Sequence, residues 1–318
     1  MKCRICNNSE KNFPFKVKEM MYGFRDEFTY FQCNACECLQ LLDVPEDMAK
    51  YYPLGYHGPI NVATNFFKKI KYYRKGLRIN YAIFNKGLLG KLLYKKHPED
   101  FYRLFSNIGL TKNSSILDVG CGSGWILYDL AFAGFKNLIG IDPYIEKDME
   151  YENKVKIFKR SIQEINGSFD LILFNHSFEH DPQPRETLKS VSSFLKPAGV
   201  CLLRIPIMPC FAWEHYKENW VQIDAPRHIF LHSLKSLEIL ARESNLRLEK
   251  IIYDSTDLQF WGSEQYQKGI PLFSSRSYGK NRKNSIFSET EIESFKERAA
   301  TLNRENRGDQ ATIYLRKN

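Results

Sequence analysis

A run of apolar residues ending in an acid and three glycines lies near the middle of the chain. It spans Ser115 to Gly124 and reads SILDVGCGSG, with glycine at every second position of its end. Glycine lets the backbone turn sharply and lets a ligand approach without a Cβ in the way. Asp118 precedes the turn, and a carboxylate there suits a cationic amino acid better than a pyrophosphate. Asp142 follows the next apolar run, near the spacing at which a carboxylate meets ribose hydroxyls.

Two common nucleotide-binding loops do not match this run. The dinucleotide fingerprint G-x-G-x-x-G needs its third glycine one place later, where Trp125 stands. The phosphate-binding loop of nucleoside triphosphatases needs a Lys-Ser/Thr pair after its glycines, and none is present here. The loop therefore indicates another kind of nucleotide-like ligand.

The middle half of the chain resembles the class I S-adenosylmethionine-dependent methyltransferases. Four segments carry the resemblance in the family's order: DVGCGSG at 118–124, GIDP at 140–143, FDLILF at 169–174 and LKPAGVCLL at 195–203. The resemblance implies an α/β fold with a doubly wound, mostly parallel, seven-stranded Rossmann-like sheet. A glycine turn in an unrelated doubly wound sheet is the alternative, and it accounts for one segment rather than four.

The same resemblance implies S-adenosylmethionine as the cofactor and a set of residues that hold it. Ser161 stands where the family often uses an acid beside the adenine, so a weaker hydrogen bond is implied at that position. The residues implied to bind the cofactor are Asp118, Gly120, Cys121, Gly122, Gly124, Asp142, Pro143, Ser161, Ile162, Asn175 and His176.

The loop after the predicted fourth strand, Asn175 to Pro182, is dense in titratable side chains. In the family it lies beside the transferable methyl group. Methyl transfer from a sulfonium is an in-line displacement, and a base is needed when the acceptor is a hydroxyl or a carbon acid. His180 is the candidate base because imidazole titrates near neutral pH, and Glu179 would orient it or bind substrate. The alternative is that the Glu-His pair only fixes the loop.

A second cluster of aromatic and polar residues lies between Trp220 and Ser233. Aromatic faces and polar tips together suit a sugar, so Trp220, Asp224, Arg227 and His228 are predicted to contact substrate. The segment resembles the Asp-x-Pro-Arg-His stretch of bacterial methyltransferases from surface-polysaccharide pathways. The alternative is a loop locked by an Asp224–Arg227 ion pair.

Two C-x-x-C pairs near the N-terminus predict a tetrahedral zinc site. The predicted ligands are Cys3, Cys6, Cys33 and Cys36, with Cys38 as an alternative ligand. Four protein ligands would make this zinc structural rather than catalytic. The gap between the pairs has room for a β-hairpin whose returning strand is Phe28 to Gln32. Redox-active or inert thiols are the alternative.

The stretch from Met48 to Pro98 has many lysines and arginines and no Asp or Glu. Apolar residues recur there at three- and four-residue steps from Phe66 to Phe84, so the stretch predicts a basic amphipathic helix. A helix packed on the core with a solvated cationic face explains it. Attraction to an anion is the functional alternative, with a nucleotide- or lipid-linked acceptor, an anionic membrane surface or RNA as candidates.

The whole chain has 318 residues and a formal net charge of +9. No apolar run is long enough to cross a bilayer, and the first residues lack a signal-peptide pattern, so a cytoplasmic protein is expected. The predicted domains are a zinc-ribbon-like unit at 1–45, a basic helical region at 46–110 and a methyltransferase domain at 111–318. An insertion at 257–308, with a helix near 289–303, would cover the active site or form a homodimer contact.

Two functions follow as hypotheses. The first is methylation of a hydroxyl of a sugar or glycan intermediate. Sugar C-methyltransferases pair a similar four-cysteine unit with this sheet, but they carry a further large C-terminal domain that this chain is expected to lack, which favours O-methylation over C-methylation. The second is an RNA methyltransferase whose zinc unit and basic helix bind phosphates. It is disfavoured because the loop after strand four lacks Asn/Asp-Pro-Pro-aromatic.

Overall fold

The structure is a computed structural model that describes residues 1–53 and 65–318. Residues 54–64 of the predicted basic region lie outside the described residues. The strands are β1 (Phe13–Lys18), β2 (Glu27–Gln32), β3 (Leu39–Leu41), β4 (Ser115–Val119), β5 (Asn137–Ile141), β6 (Met149–Glu150), β7 (Lys156–Phe158), β8 (Phe169–Asn175), β9 (Leu195–Met208), β10 (Phe230–Ser233), β11 (Leu246–Tyr253) and β12 (Gln310–Lys317). The helices are α1 (Phe66–Phe84), α2 (Leu88–Lys96), α3 (Trp125–Phe132), α4 (Pro184–Phe194), α5 (Phe211–Tyr216), α6 (Leu234–Glu243), α7 (Leu258–Gln267) and α8 (Glu289–Arg304).

The described chain divides into two compact units that interleave along the sequence. The glycine-loop unit comprises the described residues of 65–177 together with 186–203 and 314–318. The cysteine unit comprises 1–53, 178–185 and 204–313. These units are defined by compactness alone and do not test domain boundaries. The boundaries predicted at 45 and 110 therefore stay predictions.

The glycine-loop unit is built on parallel strands, as the apolar runs predict. β4 lies between β5 and β8 and is parallel to both, and β5 pairs with β7 in the same sense. Ile116 and Leu117 of β4 have no exposed surface, as expected of a central strand covered on both faces. Parallel strands place their carboxyl ends at one edge, which is where open α/β sheets bind ligands. The predicted α/β fold class with a mostly parallel sheet is confirmed, but the described residues form twelve strands in place of the predicted seven.

Helix α1 packs on α3 within this unit. A Cβ at Gly76 would lie 2.2 Å from the carbonyl oxygen of Phe132, so only glycine allows this close approach. Lys75 of α1 and the hydroxyl of Tyr102 both bond to the buried carboxylate of Asp129, at 2.5 and 2.6 Å. These contacts hold the helix that follows the glycine loop.

The cysteine unit contains the predicted hairpin and further strands that pair with it. β1 and β2 are antiparallel, and β3 pairs with both β2 and β10. The sequence predicts that the cluster ending at Ser233 lies in one loop over the strand ends, and this prediction is wrong for the residues of β10. They are buried on both faces and pair with β3 on one side and with β9 on the other.

The insertion at 257–308 forms part of the core of the cysteine unit. Phe260 of α7 and Phe295 of α8 stack with ring centroids 5.4 Å apart, and they pack in one apolar cluster with Trp213 and Trp220. Helix α8 confirms the predicted helix near 289–303, and Ser288 caps it with Glu291 in a capping box. The two predicted roles of the insertion, a cover for the active site or a dimer contact, stay predictions.

Two element boundaries differ from those that the sequence predicts. A helix is predicted from Trp125 to about Phe135, but α3 ends at Phe132, because Gly134 has φ +94° and its N–H closes a turn on Ala131. The segment from Leu195 resembles the turn into a fifth strand predicted from Val200 to Ile207, but β9 already begins at Leu195.

Candidate active site

The glycine loop joins β4 to α3 and depends on glycine at two close contacts. Gly120, Gly122 and Gly124 have φ values of +69°, +54° and +76°. A Cβ at Gly120 would lie 2.4 Å from the Cβ of Ser177, and one at Gly124 would lie 2.1 Å from Cδ1 of Ile157. Any larger residue at either position would push the loop away from its neighbours, so the turn is built for glycine.

Two buried carboxyl groups flank this loop. Asp118 and Asp142 are each 2% exposed. One oxygen of Asp142 accepts the N–H of Gly122 at 2.9 Å, and the other accepts the N–H of Tyr144 at 2.8 Å. Asp142 therefore holds the loop in place, and each of its oxygens keeps a further lone pair for a ligand hydroxyl. Burial, together with the charge of Asp142, raises the pKa of Asp118 to about 8.

The remaining residues of the predicted cofactor set lie around the same strand ends. Cys121 is buried, and Pro143 follows Asp142 directly. His176 has φ +53°, a conformation uncommon for a non-glycine residue, just after β8. Ser177 donates its hydroxyl hydrogen to the carbonyl of Val119 at 2.6 Å, which ties the start of that loop to the end of β4.

Ser161 and Ile162 begin a short 3-10 helix after β7. The Ser161 hydroxyl bonds to the carboxylate of Glu164 at 2.7 Å, in a capping box. That hydroxyl is thus already used by the protein, which weakens the predicted hydrogen bond to an adenine. Ile162 is buried, with only 4% of its surface exposed.

The second half of the loop after β8 belongs to the cysteine unit. Glu179 is fully buried, and its backbone carbonyl accepts the N–H of Ile229 at 2.9 Å. The ring of His180 lies edge-on to that of His228, with centroids 4.7 Å apart. The ligand-type atoms of Glu179, His180 and His228 all lie within 4.8 Å of one another, close enough to share a proton or a metal ion.

Backbone carbonyls set the protonation of both imidazoles. Nδ1 of His180 is 2.9 Å from the carbonyl oxygen of Arg227, and Nδ1 of His228 is 2.7 Å from that of Gln222. A carbonyl only accepts, so each neutral ring carries its hydrogen on Nδ1 and keeps the lone pair on Nε2. Burial and the neighbouring His228 lower the pKa of His180 to about 4, against the opposing charges of Glu179 and Asp224. His180 is therefore a neutral acceptor at pH 7.

Arg227 forms a buried ion-pair network rather than an exposed binding group. Its side chain has no exposed surface and donates to Asp224 at 2.6 and 3.0 Å and to Glu19 at 2.9 Å. The carboxylate of Glu19 in turn accepts three backbone N–H groups of the β1–β2 turn, from Tyr22, Gly23 and Phe24. The network fixes the loop, as the alternative interpretation of this segment has it.

Trp220 is also buried, with 1% of its surface exposed, and its indole N–H donates to Asp309 at 3.0 Å. A side chain with no accessible face cannot stack on a sugar in this conformation. The geometry therefore does not favour substrate contact by Trp220 and Arg227. The predicted site did not include Glu19 or Tyr52. The hydroxyl of Tyr52 lies 3.2 Å from Nδ1 of His180. No local pattern marks either residue.

The four predicted cysteine ligands lie together at the N-terminus. The Sγ atoms of Cys3 and Cys36 are 3.6 Å apart, those of Cys6 and Cys33 are 3.5 Å apart, and all four lie within 4.8 Å. Cys38 lies outside this cluster, and its thiol faces the carbonyl of Leu39. The set is positioned to bind a metal ion, and four thiolates at such spacing suit structural zinc.

We expect one zinc per chain at this cluster. Replacing Cys33 and Cys36 by serine should remove it, because two remaining thiolates bind zinc far more weakly. Elemental analysis of the purified protein measures the change. Cys38→Ala is the matched control and should keep the full zinc content. Loss of zinc on Cys38→Ala alone would contradict the assignment.

A family model described as "Methyltransferase domain" matches residues 94–251. The match includes the glycine loop, both acids and the loop after β8. The chain carries a class I S-adenosylmethionine-dependent methyltransferase domain. The match agrees with the predicted methyltransferase domain and its S-adenosylmethionine cofactor. The activity of the whole protein and the likeness to sugar methyltransferases stay predictions.

Curated relatives of this methyltransferase domain act on different acceptors. The mitochondrial ubiquinone biosynthesis O-methyltransferase of Saccharomyces cerevisiae is 31% identical over 34% of this chain and 38% of its own length. The tRNA U34 carboxymethyltransferase of Helicobacter acinonychis is 29% identical over 31% of this chain and 43% of its own. The chain thus spans less than half the length of these two relatives.

Solved structures resemble the fold more distantly. The cyclopropane synthase MmaA2 of Mycobacterium tuberculosis is 15% identical, with a TM-score of 0.44, and the match covers 81% of this chain and all of that one.

Among residues 1–53 and 65–318, no helix is both long and apolar enough to cross a membrane.

Proposed function

We propose that the protein transfers the methyl group of S-adenosylmethionine to a hydroxyl of a sugar or glycan intermediate. The observation that carries the proposal is a neutral His180 whose Nδ1 is hydrogen-bonded to the backbone carbonyl of Arg227. That bond leaves the lone pair on Nε2, where it can accept a proton. A hydroxyl acceptor must lose a proton as the new bond forms, and a placed imidazole supplies the base.

The glycine-loop unit supplies the residues proposed to hold the cofactor. Asp118 would face its cationic amino acid part, and Asp142 with Pro143 would meet its ribose. Gly120, Gly122 and Gly124 would let the backbone approach it closely. Ile162 would pack on the adenine, beside Ser161, and Asn175 and His176 would line the strand ends. When bound, S-adenosylmethionine supplies an electrophilic methyl group on a sulfonium.

The protein's own part in the reaction is proton transfer and alignment. With the cofactor bound, the acceptor oxygen would take the methyl carbon, and sulfur would leave with the electron pair of the carbon–sulfur bond. The hydroxyl proton passes to Nε2 of His180. The imidazolium that results is favoured by the nearby carboxylates of Glu179 and Asp224, which both act to raise the pKa of His180.

Partly exposed aromatic residues near His180 and Arg227 support a sugar as the acceptor class: Tyr52 contacts His180, and Tyr22 contacts Arg227. Tyr52 and Tyr22 are partly exposed, and Tyr22 lies under the guanidinium of Arg227, 5.4 Å from ring centroid to Cζ. Phe24 stacks with Tyr22 and is 44% exposed. Exposed aromatic faces next to polar groups suit the CH faces and hydroxyls of a sugar. In this proposal they take the place predicted for Trp220, and His228 stays a proposed polar contact.

A methyl-transfer screen with isotopically labelled cofactor tests the proposal. Nucleotide sugars, lipid-linked glycans and RNA are offered separately, and the product is examined by NMR. We expect label in one sugar class as an O-methyl ether. A C-methyl product would favour the sugar C-methyltransferase hypothesis. Label in RNA alone would contradict the sugar proposal and favour the second candidate, an RNA methyltransferase, which the tRNA-modifying relatives support.

Cofactor binding should expel a proton from Asp118. With its pKa raised to about 8, this carboxyl is largely protonated at pH 7 in the free protein. A cationic ligand beside it favours the carboxylate, so affinity should rise by up to tenfold per pH unit between pH 6 and 8. Calorimetry in buffers of different ionisation enthalpy measures the released proton.

Asp118→Asn is the control for this coupling. It should bind more weakly at pH 8 and should release no proton. S-adenosylhomocysteine keeps the ammonium group but lacks the sulfonium. Its binding therefore shows which of the two cations causes the proton release from Asp118. Proton release that persists unchanged in Asp118→Asn would contradict the role given to this residue.

A further inference from the structure

Helices α1 and α2 carry half of the exposed large apolar side chains in the part of the chain that the structure describes. Surface residues of this size are normally scattered singly. Here Phe67 is 80% exposed and Leu88 is 76% exposed. The full set, which we call the apolar stripe, is Phe66, Phe67, Ile70, Tyr73, Leu88, Leu89 and Leu92.

The apolar stripe lies opposite the faces by which both helices pack on their unit. The buried residues of α1 are Gly76, Ile79, Ala82 and Ile83. Phe66, Ile70 and Tyr73 follow one another at four- and three-residue steps on another face. In α2 the buried residues are Gly90 and Tyr94. The helices are thus anchored on one side and present apolar side chains on the other.

Cations flank the apolar stripe and acids are absent from it. Residues 48–98 contain no Asp or Glu. Lys71 and Arg74 follow Phe67 by four and seven residues on the same face of α1, and Lys91 and Lys95 are exposed on α2. By contrast Lys75 and Arg78 point inward, to Asp129 and Glu99, at 2.5 and 2.7 Å. The outward cations therefore form a positive rim around apolar side chains.

We propose that the apolar stripe and its cationic rim bind the surface of an anionic lipid bilayer. Helices that lie in a membrane interface combine an apolar face with lysine and arginine beside it. A second copy of this chain would bring like charges together. An RNA would find few uses for Leu88, Leu89 and Leu92, because nucleic acids are bound by aromatic stacking and hydrogen bonds. The proposal does not depend on the methyl acceptor.

Flotation of the full chain with lipid vesicles tests it. Vesicles of phosphatidylcholine with 30% phosphatidylglycerol should bind the protein much more tightly than vesicles of phosphatidylcholine alone. Each cation at a membrane surface contributes about fivefold in affinity, so Lys71→Gln/Arg74→Gln/Lys91→Gln should weaken binding on the order of 100-fold. Lys136→Gln/Lys147→Gln/Lys159→Gln removes the same charge at exposed positions of the same unit and should change binding little.

A second variant tests the apolar part. Phe67→Ser/Leu88→Ser/Leu92→Ser should abolish binding to the anionic vesicles, whereas Phe13→Ser, at a residue 59% exposed in the cysteine unit, should not. If the serine variant melts early, the charge variants alone decide the outcome. Equal binding to both vesicle types, or equal loss in the two charge variants, would overturn the proposal. The proposal would also be overturned if the serine variant lost a dimer or an RNA complex but still bound the anionic vesicles.

Discussion

Replacing His180 by alanine should lower the turnover number by about 100- to 10,000-fold while cofactor affinity stays close to that of the wild type. The reason is that Nε2 of His180 is the proposed proton acceptor, and no other group of the described chain is assigned that task. Initial rates with labelled S-adenosylmethionine measure the loss, and calorimetry measures the affinity. The expected pattern is a fall in kcat without a matching change in the KM for the cofactor.

His215→Ala is the matched control for this experiment. His215 lies on an exposed part of α5 in the same unit, stacked on Phe211, and has no proposed role in the reaction.

The pH profile of the wild-type protein gives a second readout. Since the pKa of His180 is lowered to about 4, the base is free at neutral pH, and activity should fall only as the pH drops towards 4. Full activity in His180→Ala would mean that the acceptor loses its proton elsewhere.

Arg227→Met should destabilise the cysteine unit by about 3–5 kcal/mol. The substitution keeps most of the side-chain volume but leaves the carboxylates of Glu19 and Asp224 buried without their common partner. Burial raises the pKa of Asp224, but the charge of Arg227 holds this pKa below its usual value. Without the cation, the buried carboxylate loses the charge that stabilises it in the folded state. Urea unfolding followed by tryptophan fluorescence reports on this unit, because it contains Trp213, Trp220 and Trp261.

Arg307→Met provides the comparison. Arg307 pairs with Glu214 at 2.8 Å, but both side chains are about half exposed, so this pair should be worth less than 1 kcal/mol. Glu19→Gln/Arg227→Met should regain part of the lost stability, since one uncompensated charge is removed. A cost for Arg227→Met no greater than that for Arg307→Met would show that the buried network does not hold the fold together.

The glycine loop and its acids could be predicted from the sequence because the information is local. Asp118 to Gly124 carries its turn in consecutive residues, and Asp142 sits at the end of the neighbouring apolar run. The four cysteines were predictable for the same reason, since each C-x-x-C pair is a short motif. Helix α6 has an equally local signal, because the side chain of Ser233 caps its first turn by accepting the N–H of Ser236.

Of the Arg227 network, only the Asp224–Arg227 pair could be predicted, because the other carboxylate comes from a residue far away in the sequence. Glu19 is 208 residues from Arg227, and nothing near Glu19 marks it as the partner of a buried guanidinium. Trp220 and Arg227 suggested a sugar site by composition, whereas burial decides what they touch. Strand β10 was missed for a related reason: its pairing with β3 depends on residues at least 190 positions earlier.

The central claim is that the glycine loop, with Asp118 and Asp142 beside it, holds S-adenosylmethionine. Calorimetric titration of the full chain with S-adenosylmethionine, and separately with NAD, tests it most directly. We expect one S-adenosylmethionine bound per chain, no binding of NAD, and an affinity at least tenfold weaker in Asp142→Ala, which loses both the loop contacts and the proposed ribose contact. Binding of NAD in its place, or an unchanged affinity in Asp142→Ala, would contradict the account.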